Sequence, residues 1–223
     1  MHYKINDTLI KSENAAKPTF TPSKDMLFLL KKYIKKSDHV LDYGCGKLRY
    51  TIPISKMAKI VHGVDSNEQI YRPIKLRGKT ISIYNLAKKY KNIVLHAISK
   101  KEWQKFKYDK ILLSHVLSAV PHEKDRFKIA CALHGVMHAE SILIACTNHR
   151  MSYFKKWDIS PRVEKYNDGY FIKEPIPSYF GIINKVKLAG YFEQSGFEIL
   201  QLFIKEDNTY CICKKKLTIK YRK

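Results

Sequence analysis

The sequence predicts an α/β fold: a doubly wound, seven-stranded, mostly parallel sheet with a C-terminal antiparallel hairpin and an insertion over residues 148–181. Three observations predict it. Strand-like and helix-like runs alternate from Thr21 to Thr147, as parallel sheets with helices on both faces require. A helical run and two adjacent strand-like runs, "EILQLFIKE" and "TYCICKK", then close the chain and are near enough to pair. Finally, "HVLDYGCGKLRY" (His39–Tyr50) passes from an apolar strand directly into a turn with two glycines.

The first twenty residues are polar and unpatterned and read as an arm or lid. "TPSKDMLFLLKKYIKK" then reads as a helix, with Thr21 as N-cap, Pro22 in the first turn and an apolar stripe of Met26, Leu29, Leu30, Tyr33 and Ile34. "HVLDYG" is the first strand of the sheet, and "RYTIPISKMA" restarts as a helix with Pro53 in its first turn. "KIVHGVD" is a second strand ending at Asp65. The next stretch predicts a helical turn, a basic loop over Pro73–Lys79 and a helix to Tyr90. "KNIVLHA" is the third strand, and "YDKILLSHVLSAV" the fourth, running into a loop at Ser114–His115. "KDRFKIACALHGVM" is a helix with Phe127, Ala130, Leu133 and Val136 on one side, and "SILIACT" is the fifth strand. "NKVKLAGYFEQSGF" is a helix stopped by Gly196.

With 223 residues, no repeats and no low-complexity linker, the chain predicts one domain over residues 1–223, with the arm at 1–20 and the insertion at 148–181 as its embellishments. Hydrophobic residues at 45% and charged ones at 28% exclude a disordered chain. No apolar run approaches the roughly 20 residues of a membrane span, and the N-terminus lacks the apolar core of a signal peptide, so a cytoplasmic location is expected. Five cysteines show neither CxxC pairing nor zinc spacing, and read as reduced core residues with no metal site. The formal charge is +22. From Tyr71 to Lys110 twelve basic residues face only Glu102 and Asp109, and the final ten residues add six more basic ones without an acid. Such a field attracts phosphate polyanions, although lysines scattered for solubility would give the same total.

The glycine turn lies where open α/β sheets bind ligands, beyond the carboxyl end of a strand. Glycine lets the backbone approach a ligand and adopt positive φ, and the following helix offers free N–H groups. Asp65, 19 residues after Gly46, stands where a carboxylate accepts both hydroxyls of a ribose. An adenosine-type cofactor follows. A dinucleotide is disfavoured, because the third glycine of its fingerprint is replaced by Arg49 and Asp42 would repel a pyrophosphate. Asp42 instead suits a cationic amine. S-adenosyl-L-methionine carries a ribose at one end and an α-amino acid at the other, and so fits both carboxylates.

"VLDYGCGKLRY", with "GVD" at Gly63–Asp65, resembles motifs I and II of the class I (Rossmann-like) S-adenosylmethionine-dependent methyltransferases. "YDKILLSHVLSAV" is similar to that family's fourth motif, and "GFEILQLFIKEDNTYCICKK" to its terminal hairpin. The resemblance covers Thr21 to Lys216. It implies that Asp42, Gly44 and Gly46 line the methionine part, that Asp65 binds the ribose, and that Ser114 and His115 sit beside the donor. Two departures stand out. The family's usual third glycine is Leu48, and the acidic residue that commonly contacts adenine after the third strand is missing, leaving Ser99, Glu102 or a backbone carbonyl.

The acceptor is less constrained. The (D/N/S)PP(Y/F) loop of exocyclic-amino DNA methyltransferases reads "SHVL" here, and no cysteine follows a proline as cytosine-C5 chemistry needs. The insertion, a substrate cover in the resembling family, interleaves Tyr153, Trp157 and Tyr170 with Arg150 and other basic residues. That mixture suits stacked bases and a phosphate backbone, or else a lid whose aromatics pack on the sheet. His115 and His149, near strand exits, are the candidate bases. The favoured expectation is a methyltransferase acting on nucleic acid. The alternatives are a small-molecule methyltransferase and an inactive cofactor-binding subunit that docks nucleic acid.

Overall fold

The computed structural model describes residues 3–76, 78–149 and 154–216. A seven-stranded sheet organises it. Strand β3 (His39–Tyr43) pairs in parallel with β4 (Ile60–Asp65) on one side and β8 (Tyr108–Ser114) on the other. Strand β4 continues to the edge strand β7 (Ile93–Ala97), and β8 to β9 (Met137–Asn148). The closing hairpin, β13 (Phe197–Lys205) and β14 (Asn208–Lys215), joins antiparallel through β14 to β9. The sheet order is thus β13-β14-β9-β8-β3-β4-β7, and the winding reverses between β3 and β8. Strands β3 and β8 are buried on both faces by Val40, Leu41, Tyr43, Ile111, Leu112 and Leu113, which explains their continuous apolar runs.

Helices cover the sheet as the alternation predicts, with differences at their ends. Helix α1 (Lys24–Tyr33) starts two residues later than the Thr21–Pro22 pair suggests. Ser23 is its cap, accepting a 3.3 Å bond from the Met26 amide, while the Thr21 hydroxyl donates to the Pro18 carbonyl. Helix α2 (Thr51–Ser55) is a single turn containing Pro53. Helix α3 (Asn67–Tyr71) leads into the stretch whose sequence predicts a basic loop, which is instead a β-hairpin. Its strands β5 (Pro73–Leu76) and β6 (Lys79–Ser82) pair antiparallel around Gly78, which has φ +77°. Ile74, Leu76 and Ile81 pack inward, Lys75 lies on the opposite face, and Lys79, the partner of Leu76, is exposed beside the turn. Helix α4 (Ile83–Ala87) stops three residues short of Tyr90, the remainder forming tight turns.

Helix α5 (Glu123–Gly135) buries Arg126, Ile129, Ala130 and Leu133. Phe127, expected on the apolar side, is 36% exposed, and the inward face carries Arg126 instead. Helix α6 (Lys155–Asp158) and a three-stranded antiparallel sheet, β10 (Val163–Tyr166), β11 (Gly169–Ile172) and β12 (Ser178–Gly181), make up the insertion. Its Asn167–Asp168 turn matches the "NDG" signal. Helix α7 (Lys185–Gln194) ends before Gly196, at φ +86°. The arm is less polar in effect than its sequence suggests. Strands β1 (Tyr3–Ile5) and β2 (Thr8–Ile10) form a hairpin whose Tyr3, Ile5 and Ile10 enter the main core. Among the described residues, no helix is long and apolar enough to cross a membrane.

Candidate active site

A cavity of about 170 Å³ opens at the carboxyl ends of β3, β4, β8 and β9, around the point where the winding reverses. Its floor is the glycine turn. The amides of Gly44 and Cys45 both donate to the Val64 carbonyl, at 2.7 and 3.1 Å, so the turn folds back over β4. Gly44, Gly46 and Leu48 all have positive φ, at 76°, 55° and 61°. Leu48 therefore adopts the conformation glycine would favour, held there by complete burial among Ile52, Ile83 and Leu86. At Gly44 a Cβ would meet Val116 Cγ2 at 2.2 Å, so the loop after β8 needs that glycine directly.

Both predicted carboxylates line the cavity. Asp65 Oδ2 accepts from the Gly46 amide at 2.8 Å, and its Oδ1 from the Ser66 amide at 2.7 Å. The residue expected to hold a ribose thus also pins the glycine turn, and each oxygen retains a lone pair for a hydroxyl. Burial raises its pKa to about 6, against the two amide bonds that lower it. Asp42 is buried at the base of the cavity and accepts a 2.6 Å bond from the Thr51 hydroxyl. Burial pushes its pKa up to about 7; the Thr51 bond opposes this and the Asp65 charge adds to it. A carboxyl poised there becomes a stable anion once a cation binds beside it.

On the β8 side stand Ser114 and His115. His115 has φ +59°, donates its amide to the Cys146 carbonyl at 2.7 Å and sets Nε2 3.7 Å from Cys146 Sγ. Burial lowers the imidazole pKa to about 4, helped by the charges of Lys17 and Arg49 and opposed by the Asn148 side chain. The ring is therefore neutral at physiological pH. Among the described residues, four buried side-chain atoms around the cavity have no hydrogen-bond partner: Ser114 Oγ, His115 Nδ1, and Gln69 Oε1 and Nε2. Such orphaned groups are costly unless a polar ligand satisfies them, so the residues present fit a nucleoside–amino-acid cofactor. Sequence reasoning misses Gln69; its place one helical turn beyond Asp65 is the available signal. Asn148, Tyr179 and Phe180 also reach the cavity, and Ser12, Glu13, Ala16 and Lys17 of the arm close it from above.

The other candidates lie elsewhere. Ser99 is exposed on a short 3₁₀ turn outside the cavity, and a smaller adjoining pocket reaches Ile98 instead. His149 sits past the end of β9, its amide donating to Asp207 and its ring 3.4 Å from the Thr209 hydroxyl. Arg150 and Tyr153 fall outside the described residues. Trp157 and Tyr170 pack with Phe154 and Phe180, all four ring pairs involving Trp157 or Phe154 with Tyr170 or Phe180 lying at 5.2–5.9 Å. Tyr170 is 4% exposed and donates to Asp158 at 3.0 Å. Of these four rings only Phe180 lines the cavity.

No protein-family model matches the chain. It is 32% identical over 212 residues to the uncharacterized protein YmfD of Escherichia coli K12, covering 94% of each chain. Over 113 residues, 51% of this chain and 24% of the relative, it is 27% identical to the 23S rRNA (uracil(1939)-C(5))-methyltransferase RlmD of Histophilus somni. A solved S-adenosylmethionine-dependent methyltransferase from Methanosarcina mazei superposes with a TM-score of 0.63 at 17% identity, over 89% of this chain and 100% of that one. The 1,6-didemethyltoxoflavin-N1-methyltransferase of Burkholderia thailandensis, solved with its substrate and S-adenosylhomocysteine, superposes with a TM-score of 0.60 at 12% identity, over 86% and 77% of the two chains. The chain belongs to one family with YmfD across its length, and its sheet order and closing hairpin give it the fold of the solved S-adenosylmethionine-dependent methyltransferases on which it superposes.

Proposed function

We propose that the protein transfers the methyl group of S-adenosylmethionine to a nucleic acid in the cytoplasm. One observation carries the choice of acceptor: the cavity mouth is cationic. Lys17, Lys47 and Arg49 line it together with a single acid of the arm, Glu13, whose carbonyl accepts from Arg72. Lys47 is depressed in pKa by burial and then by the nearby charge of Arg72, so these cations crowd one another. A polyanion relieves that crowding. The partial likeness to an rRNA methyltransferase agrees with this reading.

The bound cofactor would supply an electrophilic methyl group on a sulfonium. Asp42 and the glycine turn would hold its amino-acid end, and Asp65 its ribose. Ser114, His115 and Asn148 face the space beyond, where an acceptor must align behind the methyl group. Positioning can supply much of the rate in such transfers. Neutral His115 can accept or donate one hydrogen bond there without adding charge.

A second reading, a small-molecule methyltransferase, is favoured by the insertion. Its rings pack on one another rather than standing free for bases. Labelled donor offered to separate RNA, DNA, protein and metabolite fractions tests both. Label in a nucleic-acid fraction, declining with salt, supports the first reading; label confined to metabolites, indifferent to salt, supports the second. Nucleic-acid binding without transfer would leave an inactive docking subunit.

A further inference from the structure

We propose that α3, the β5–β6 hairpin and α4 form a docking surface for single-stranded nucleic acid, with Tyr71 as its stacking platform. The inference rests on the nucleic-acid reading above and moves the contact surface from the insertion to the elements that carry Gln69 and Arg72.

Tyr71 is 56% exposed, an unusual state for a ring at the end of a packed helix. It lies 5.4 Å from the Tyr84 ring at an interplanar angle of 39°, and Lys88 Nζ stands 4.4 Å over Tyr84. Apart from Glu68 on α3, the charge around this pair is basic: every charged residue from Arg72 to Lys101 is a lysine or arginine. The hairpin register explains how the surface is built. Ile74 pairs with Ile81 on the inward face, so Lys75 and Thr80 pair on the outward one. The inward residues join the Leu86 cluster, Lys75 stands in solvent on the outward face, and Lys79, which pairs with Leu76, is exposed at the end of the hairpin beside the turn. Among the described residues, no lysine from Lys47 to Lys107 takes part in an ion pair. The insertion differs: Lys165 and Lys173 are paired with Asp158 and Glu164.

The surface is continuous with the site. Gln69 lines the cavity from the same short helix that ends in Tyr71, and the next residue, Arg72, is bonded to the rim. A strand with its backbone along Lys75 and Lys79 and one base on Tyr71 would therefore lead into the mouth beside Lys47. An exposed ring among solvated lysines is the combination that single-strand binders use: stacking that tolerates any base, with charge that tracks the backbone.

Binding of a labelled single-stranded RNA of mixed sequence, followed by anisotropy over a range of salt, tests the proposal. Tyr71→Ala should weaken binding roughly tenfold or more with an unchanged salt slope, and Tyr71→Phe should restore it. Lys75→Glu with Lys79→Glu should flatten the log–log slope by about 0.7 for each phosphate no longer neutralised, whereas reversing the ion-paired Lys128 should leave it alone. Unchanged affinity for S-adenosylhomocysteine in each variant establishes an intact cofactor site. A wild type that binds, with Tyr71 and hairpin variants binding equally well, overturns this surface but leaves the acceptor class standing. A wild type that binds neither RNA nor DNA at low salt overturns both.

Discussion

The guanidinium of Arg126 grips the carboxylate of Asp168 at two points, Nη1 to Oδ2 at 2.5 Å and Nη2 to Oδ1 at 2.8 Å. Arg126 is 0% exposed, and its remaining donors reach the Val120 carbonyl and the hydroxyls of Tyr191 and Tyr179. Burial opposes ionisation of Asp168, yet the Arg126 bonds and charge hold its carboxyl below the usual range. The pair joins α5 to the turn of the β10–β11 hairpin. Because Tyr179 both binds this pair and lines the cavity, the insertion is set over the site from here.

Arg126→Met should therefore destabilise the protein by about 3 kcal/mol, since it leaves the buried Asp168 carboxylate only the Tyr179 hydroxyl and Lys187 as partners. Adding Asp168→Leu should recover part of that loss, because the two residues form one network. Urea denaturation of the two single variants and the double variant measures it; additive losses would show that the pair does not act as a unit.

Cofactor affinity should depend on pH through Asp42. Its folded-state pKa is raised to about 7, so its contribution to stability is full below the ordinary carboxylate range and is lost as pH rises from there through about 7. A ligand amine favours the ionised form and reverses the trend. Affinity for S-adenosylhomocysteine should rise roughly tenfold between about pH 5.5 and about pH 7.5, with proton release near about pH 6.5. Calorimetry in two buffers of different ionisation enthalpy detects the released proton, and an Asp42→Asn variant should release fewer.

Phe154→Ala should cost about 3–5 kcal/mol of stability, because the ring is 1% exposed at the centre of the insertion cluster. Thermal unfolding measures this. The same variant should change RNA affinity little compared with Tyr71→Ala, since the cluster offers its rings to one another.

If His115 acts on the acceptor, the pH–rate profile should show no imidazole ionisation between about pH 6 and about pH 8, because burial and the Lys17 and Arg49 charges keep the ring neutral. Arg49→Gln should move any His115 ionisation upward. A limb near about pH 6.5 in the wild type, abolished by His115→Gln, would show a solvated histidine instead.

The sheet and the glycine-turn side of the cavity are legible because both are local in sequence. An apolar run, two glycines and an aspartate at fixed spacing specify β3, its turn and the end of β4 with no distant information. What the sequence conceals depends on distant partners. Arg126 lies outside the apolar stripe that the sequence marks on α5, and its burial depends on Asp168, 42 residues away. Lys75 and Lys79 hide the alternation of Ile74, Leu76 and Ile81, which becomes visible only when α4 supplies something to pack on. Tyr3, Ile5 and Ile10 are too short a pattern to mark a buried hairpin. The aromatic residues of the insertion leave stacking and packing equally open in the sequence, and their mutual distances in the structure favour packing.

Titration of S-adenosylhomocysteine into the wild type and Asp65→Ala by calorimetry tests the assignment most directly. Asp65 is expected to accept two ribose hydroxyls, each charge-assisted bond being worth about 1.5–3 kcal/mol, while also pinning Gly46. The wild type should bind, and the variant should fold but lose measurable affinity. A wild type that does not bind, or a variant that binds as tightly as the wild type, would contradict the placement of the cofactor in this cavity.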